Sequence, residues 1–282
     1  GNGQGTAIVP YSVDCPPPVE ICSPCMGKSI PATYINPDVL IWARGLYRMT
    51  RAPAADRLGV EVAVLESWER GNTCPTIAQL RKVADKYGVQ VAVFFGPEPP
   101  ESIDDVPDRR LVPEAVGVYT FELMRELRDI RTRHAAMLEL VDLLGIAQPR
   151  FGLHASLDDD VEDVARRLRG QLKVDLDSQF KAAPGYGSLG LWRGAVEAAG
   201  VLVFQLSGVA VDIARGLAIH DARLPVVAVN ATDAPNGRLF TLLHEVVHLA
   251  THRSSLCDLG RPELSGRPAE ASVEVFCNAV AA

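Results

Sequence analysis

At 282 residues the chain has room for about two domains, and with 48% hydrophobic side chains it can bury a substantial core. A net charge of −7 excludes a surface given over to nucleic-acid binding, though not one small DNA-binding module. Six unevenly spaced Cys do not make a dense disulfide scaffold, and with no basic-then-apolar start and no apolar run of about 18 residues, a cytoplasmic protein without a membrane partner is expected.

Residues 1–35 show little periodicity and read as an irregular N-terminal arm, with Gly1–Gly5 as a flexible end. Cys22-Ser23-Pro24-Cys25 has the spacing of half a zinc knuckle. A second ligand pair is missing unless Cys15 and a distant residue such as Cys74 join, so free thiols are the plainer reading.

Residues 36–96 read as a compact helical unit. Asn36 can cap a helix with Pro37 in its first turn, running to about Tyr47. Pro53 opens a second helix that stops at Gly59. Glu61–Arg70 is a third, ending at Gly71, and Thr76 caps a fourth that ends at Gly88. Val89–Phe95 is short and apolar. Five short helices, with a tight turn between the second and third, describe a helix-turn-helix domain. The stretch carries Trp68-Glu69-Arg70-Gly71 followed by Pro75, and it resembles the phage-repressor (XRE-type) helix-turn-helix domain. The resemblance makes Glu61–Arg70 the recognition helix and Glu61, Ala63, Ser67 and Arg70 candidate contacts to double-stranded DNA. The N-terminal end of that helix offers no Arg, Lys, Gln or Asn to read a purine edge. The unit has eight basic against six acidic side chains, a small excess for phosphate binding. A domain that docks a protein is the competing reading.

Gly96–Pro113 is rich in Pro and acid, and residues 97–113 read as a solvated linker. A second domain follows over 114–282, with a helical part at 114–199 and a core at 200–282. Tyr119–Leu144 is helical, with Leu123, Leu127, Ile130, Met137, Leu138 and Val141 in register. Glu122, Glu126, Asp129 and Glu139, interleaved with Arg, suggest a solvated face. Ser156 with Asp159 begins a capping box for a helix over Leu157–Gln171. Asp158, Asp159 and Asp160 then sit in its first turn, where the helix end favours anions. Ala183–Gly190 reads as a Gly-rich loop, and no Gly-Lys-Ser/Thr ends it, so it is not a P-loop. A short helix around Leu191–Ala199 is followed by strands at Val201–Leu206, Arg215–His220 and Val226–Asn230. The expected fold is α+β: an all-helical N-terminal domain, then a mainly helical zincin-like domain with a small sheet of about three strands.

Leu239–Thr251 is apolar, lacks Gly and Pro, and should be a buried helix. It contains His244-Glu245-Val246-Val247-His248, the pattern H-E-x-x-H. His244 and His248 are four apart, which puts both imidazoles on one helix face as half of a tetrahedral zinc site. Glu245 is rotated about 100° from His244 and can act beside the ion without ligating it. A third protein ligand is needed. His252, Asp258, Glu263, Glu270 and Glu274 lie downstream. His252 is about 80° off the face and too far along a straight helix. Glu270–Ala281 is a second helical stretch on which Glu270 and Glu274 share a face, and geometry alone permits either.

The segment from Arg215 to Ala250, followed by Glu270–Ala281, resembles the ImmA/IrrE-type metallopeptidases, whose members often carry a repressor-like helix-turn-helix on the same chain. That family's third ligand is a Glu four residues before an Asn, which here is Glu274 before Asn278. Family chains usually continue into a hydrophobic stretch with a Pro, which is not in this sequence. The resemblance implies metal-assisted peptide hydrolysis, with one Zn2+ on His244, His248 and Glu274, and Glu245 as general base. Asn230, Arg238 and Asn278 are candidates for orienting the ligands or supporting the transition state. The implied substrate is a regulatory protein such as a repressor, in a stress-response or phage-related setting. The alternative is a DNA-binding regulator whose peptidase-like domain senses a ligand or partner without cutting.

Overall fold

A computed structural model describes residues 30–100, 120–145, 147, 149–252, 255–257 and 268–282, and at 255–257 and 268–271 the backbone only. The expectations for the Cys15, Cys22 and Cys25 arm and for most of the acidic linker fall outside these residues. The chain divides into two compact units, Gly1–Glu101 and Ser102–Ala282.

In the first unit the helix starts and stops follow capping chemistry. α1 (Pro37–Gly45) begins at Asn36, whose side chain accepts from the Asp38 N–H. The same amide donates to the Gly96 and Pro97 carbonyls at 3.2 and 2.8 Å, tying the two ends of the unit together. α2 (Arg51–Leu58) stops at Gly59 in the left-handed region (φ 65°), and α3 (Val62–Glu69) follows after a tight turn. α2 starts two residues before Pro53. A proline in a first turn costs nothing there, because that N–H has no intrahelical partner. α4 (Ile77–Tyr87) opens with a full capping box between Thr76 and Gln79 and ends at Gly88. A single 3-10 turn, Val91–Phe95, buries Phe94 against α1 and α4. Leu40, Leu58, Leu65, Trp68, Leu80 and Tyr87 fill the centre. Glu69 is buried too, held at 2.7 Å by both Arg44 and Arg51, so its charge is paired rather than stranded.

The second unit opens with α5 (Phe121–Leu144), capped by Thr120. Its first half packs more fully: Leu123, Leu127 and Ile130 are buried, while Met137 is exposed and Leu138 and Val141 are half-buried. Glu126, expected in solvent, is buried, and its carboxylate accepts the Ser207 N–H at 3.0 Å. α6 spans Val161–Leu172 rather than starting at Leu157, because Asp160 and not Ser156 is its cap, accepting from Asp163 N–H at 2.9 Å. Asp159 instead closes a turn onto Ser156 N–H and pairs with Arg167 at 2.8 Å. This start brings Val164, Leu168 and Leu172 into one buried stripe. A short helix not expected from the sequence, α7 (Leu176–Lys181), is capped by Asp175.

The Gly-rich stretch is mostly helix. α8 runs Tyr186–Ala198 and includes Gly187 and Gly190. Its buried stripe, Leu189, Trp192 and Val196, begins inside that stretch, and packing outweighs the roughly 1 kcal/mol that each helical Gly costs. The three expected strands form: β1 (Leu202–Leu206), β2 (Gly216–Ile219) and β3 (Val226–Asn230). A fourth, β4 (Ser255–Cys257), joins the edge in the order β1-β3-β2-β4. β1 and β3 run parallel, and β2 is antiparallel to both its neighbours. α9 (Pro235–Ala250) lies on β2 and β3 and is flanked by α8 and α10 (Pro268–Ala281). Neighbours on several sides explain why α9 is buried almost all round from Thr241 to Ala250.

Candidate metal centre

The start of α9 has no side-chain cap at Ala234, and Pro235 fills its first position. Asp233 stands over this end: its carboxylate accepts the Ala234 N–H at 2.8 Å and pairs with Arg215 at 3.1 Å. A Cβ on Gly237 would meet that carboxylate at 2.8 Å, so glycine there lets the anion approach the positive helix end.

Two turns further on, α9 presents His244 and His248 with their Nε2 atoms 3.0 Å apart. Glu274 reaches them from α10, with Oε2 3.2 Å from His244 Nε2 and Oε1 3.3 Å from His248 Nε2. Both histidines are buried, while Glu274 keeps 28% of its side chain exposed. One donor atom from each residue lies within 4.8 Å of the others. Tetrahedral coordination with bonds of about 2.0–2.2 Å places neighbouring donors about 3.3 Å apart. The observed edges are close to that spacing, so the residues fit a small divalent cation.

Electrostatics point the same way. Burial opposes a charge on His244, but the hydrogen bond to Glu274, the charges of Glu245 and Glu274, and a hydrogen bond with Asn278 raise its pKa on balance. Burial likewise opposes the Glu274 carboxylate, yet the hydrogen bonds and charges of the two histidines hold it well below the usual carboxylate range. Two imidazole nitrogens and a carboxylate facing one point make a site built for positive charge.

Glu245 is fully buried beside this cluster, on the side of α9 that faces β2. The room it occupies comes from Gly216, the first residue of β2. A Cβ on Gly216 would stand 2.4 Å from Thr241 Cγ2, 2.9 Å from Glu245 Oε1 and 3.0 Å from the Ala228 carbonyl oxygen. In the sequence Gly216 reads only as part of the strand Arg215–His220. A glycine inside a strand pattern is itself a sign of close approach by another group.

Asn278 lies one turn beyond Glu274 on α10, and its amide is near enough to His244 to help raise the pKa of that ring. Arg238 is buried on α9, its Nε without a hydrogen-bond partner among the described residues. It precedes Thr241 and Glu245 by three and seven residues, on the same side of the helix. Asn230 does not serve the centre. Its Nδ2 donates to Val209 O and Ala214 O at 3.0 and 2.8 Å, and its Oδ1 accepts from Thr232. Both donors are spent on tying β3 to the preceding loop, so none is left to support a transition state. The side chain of Glu270 lies outside the described residues. His252 sits apart from the cluster, against His154 and His220.

In the first unit Glu61 and Ala63 are exposed at the start of α3. Ser67 shares a 2.8 Å hydrogen bond with Thr73, and Arg70 pairs with Glu66 at 2.7 Å. Val62 and Val64 are exposed between them.

Two family models match the chain. A helix-turn-helix model covers residues 40–94, and the IrrE N-terminal-like domain model covers 196–282. The chain pairs a helix-turn-helix domain with an IrrE-like, peptidase-type domain. The IrrE-like span takes in β1–β4, α9 and α10 and so contains the whole His244, His248 and Glu274 cluster. α5, α6 and α7 precede it. No curated protein and no solved structure matches the chain. Among the described residues no helix is long and apolar enough to cross a membrane.

Proposed function

We propose that the chain is a regulatory, zinc-dependent endopeptidase of the cytoplasm that cleaves a repressor or other regulatory protein. The observation that carries this reading is the convergence of His244, His248 and Glu274 with a fully buried Glu245 alongside. A donor set of two imidazoles and one carboxylate suits zinc at a catalytic centre, where the ion supplies Lewis acidity to a peptide carbonyl and to water. Glu245 takes the proton that water gives up on attacking the carbonyl and returns it to the leaving amine, so the carboxylate ends as it began. Burial against Gly216 and Thr241 holds its carboxylate in place. Asn278, beside His244, supports that ring, and Arg238, on α9 with Glu245, supports developing negative charge.

The helix-turn-helix domain gives the enzyme an address. Glu61, Ala63, Ser67 and Arg70 are its candidate contact positions, on DNA or on a related repressor. The exposed Val62 and Val64 and the engaged Arg70 make a poor reader of purine edges, which favours delivery to a protein over tight operator binding.

Co-expression with a candidate repressor of the helix-turn-helix class, followed by peptide mapping, tests the reading. A discrete cut that is absent with Glu245→Gln is expected. An intact repressor, together with sequence-specific DNA binding whose salt dependence reports several phosphates, would instead identify a regulator whose peptidase-like domain senses a ligand without cutting.

A further inference from the structure

Three of the six histidines of the chain gather outside the candidate centre. His154 comes from the strap before α6, His220 follows β2, and His252 lies just past the end of α9. His252 Nε2 faces His154 Nδ1 within hydrogen-bonding distance, and His252 Nδ1 faces His220 Nε2 at 3.3 Å. Ring centroids are 4.5 and 4.8 Å from that of His252. The backbone beneath is fastened: Ala155 N–H donates to the Ala250 carbonyl at 2.8 Å, and His252 N–H to that of Leu249 at 3.0 Å. Arg167 holds the His154 carbonyl at 3.2 Å. His252 takes a left-handed backbone (φ 55°), a conformation that is uncommon for a residue other than glycine.

A neutral imidazole has one N–H and one lone pair. In a row of three, His252 can satisfy both neighbours only by donating on one side and accepting on the other. If its Nδ1–H goes to His220, its Nε2 lone pair points at His154 Nδ1. The space between those two nitrogens then holds one proton, and a cation that takes its place moves the rings apart to a donor spacing of about 3.3 Å. His154 and His252 are exposed, so water can complete a coordination shell. The remaining partner, His220, does what an outer partner does at a histidine metal site: it fixes the tautomer of the ligand. Burial and the neighbouring His154 and His220 also lower the pKa of His252, which keeps its lone pair free.

We propose that His154 and His252, with His220 behind them, form a second site for a transition-metal ion of the imidazole-preferring class, such as zinc, nickel or copper. On binding, the ion takes the place of the proton on His154 Nδ1, which leaves to solvent while Nε2 of the same ring takes one up, so His154 binds as a neutral imidazole. The bound ion cross-links the strap to the end of α9, the helix that bears His244 and His248. The level of available metal then determines how firmly that end of the helix is held. The site shares no ligand with the candidate centre, so it stands whether or not that centre is catalytic.

The test uses the full chain, stripped with chelator and titrated with zinc by calorimetry. Copper is then added to protein that already holds one equivalent of zinc, and electron paramagnetic resonance counts the nitrogen ligands. Wild type is expected to take two equivalents, His154→Gln and His252→Asn one each, and Glu274→Ala one. Asparagine tolerates the left-handed backbone at 252, and His154→Gln decides alone if that variant does not fold. The copper spectrum of wild type should show two imidazole nitrogens, a pair lost in both histidine variants. One equivalent in wild type that Glu274→Ala abolishes overturns the proposal, as do two equivalents in both histidine variants. So does a second equivalent held more weakly than about 1 mM, which is an adventitious ion only. One equivalent that Glu274→Ala retains and His154→Gln loses supports the proposal and counts against the candidate centre instead.

Discussion

Gly216 matters for the side chain it does not have. The methyl group of alanine would sit 2.4 Å from Thr241 Cγ2 and 2.9 Å from the Glu245 carboxylate. Both lie on a helix buried on several sides, which leaves little room to yield. Gly216→Ala should therefore cost about 1–3 kcal/mol by overpacking and displace Glu245. Denaturant melts and metal analysis together should show a weakened fold that keeps its ion, with cleavage reduced at least about tenfold. If cleavage and stability are both unchanged, Glu245 is not where the geometry puts it. A paired prediction separates base from ligand. Glu245→Gln should retain metal and lose about 10²–10⁴ in rate, while Glu274→Ala should lose the metal; loss of metal from Glu270→Ala instead would move the ligand by one turn. His244, Glu245 and His248 were legible because one short periodic stretch carries all three. Glu274 was not legible from spacing alone, since Glu270 stands one turn away on the same face and the choice rested on the family resemblance. Gly216 and the spent donors of Asn230 were not legible either, because both depend on contacts between segments distant in sequence.

At the scale of elements, boundaries followed local chemistry where one candidate cap stood alone, as at Asn36 and Thr76, and slipped where several competed. Asp158, Asp159 and Asp160 can each cap a helix, and the burial of Val164, Leu168 and Leu172 selected Asp160. Gly187 and Gly190 argued for a loop, and Leu189, Trp192 and Val196 overruled them. α5 keeps its periodicity past Ile130, where among the described residues its apolar side chains are only half-buried or exposed, so register alone could not show where its full burial ends. The α1–α4 unit carries a prediction about pH. Burial, then the Glu69 charge, pushes the Tyr87 hydroxyl up to about 12. A phenol whose folded pKa is raised contributes stability below its unfolded value of about 10, and that stability is lost as pH climbs toward the folded value. Circular dichroism of the helix-turn-helix unit should show it weakening between about pH 10 and 12. Tyr87→Phe should flatten that part of the profile, and an identical profile in the variant would remove Tyr87 as its cause.

For the whole molecule, the order of domains was readable because each half carries its own motif, Trp68-Glu69-Arg70-Gly71 in one and His244-Glu245-Val246-Val247-His248 in the other. We propose that residues 97–113 act as a separable linker between the domains at 36–96 and 114–282. Limited proteolysis should cut first between Gly96 and Pro113, and a first cut within 60–70 would argue against an independent helix-turn-helix domain. The account rests most heavily on one point in space, among His244 Nε2, His248 Nε2 and the Glu274 carboxylate. An anomalous difference map at the zinc edge, from crystals grown of protein purified without added metal, tests it most directly. The account predicts a peak within bonding distance, about 2.0–2.2 Å, of all three donors. A map with no peak there after zinc has been added back, or a peak ligated by Glu270 instead, would contradict it.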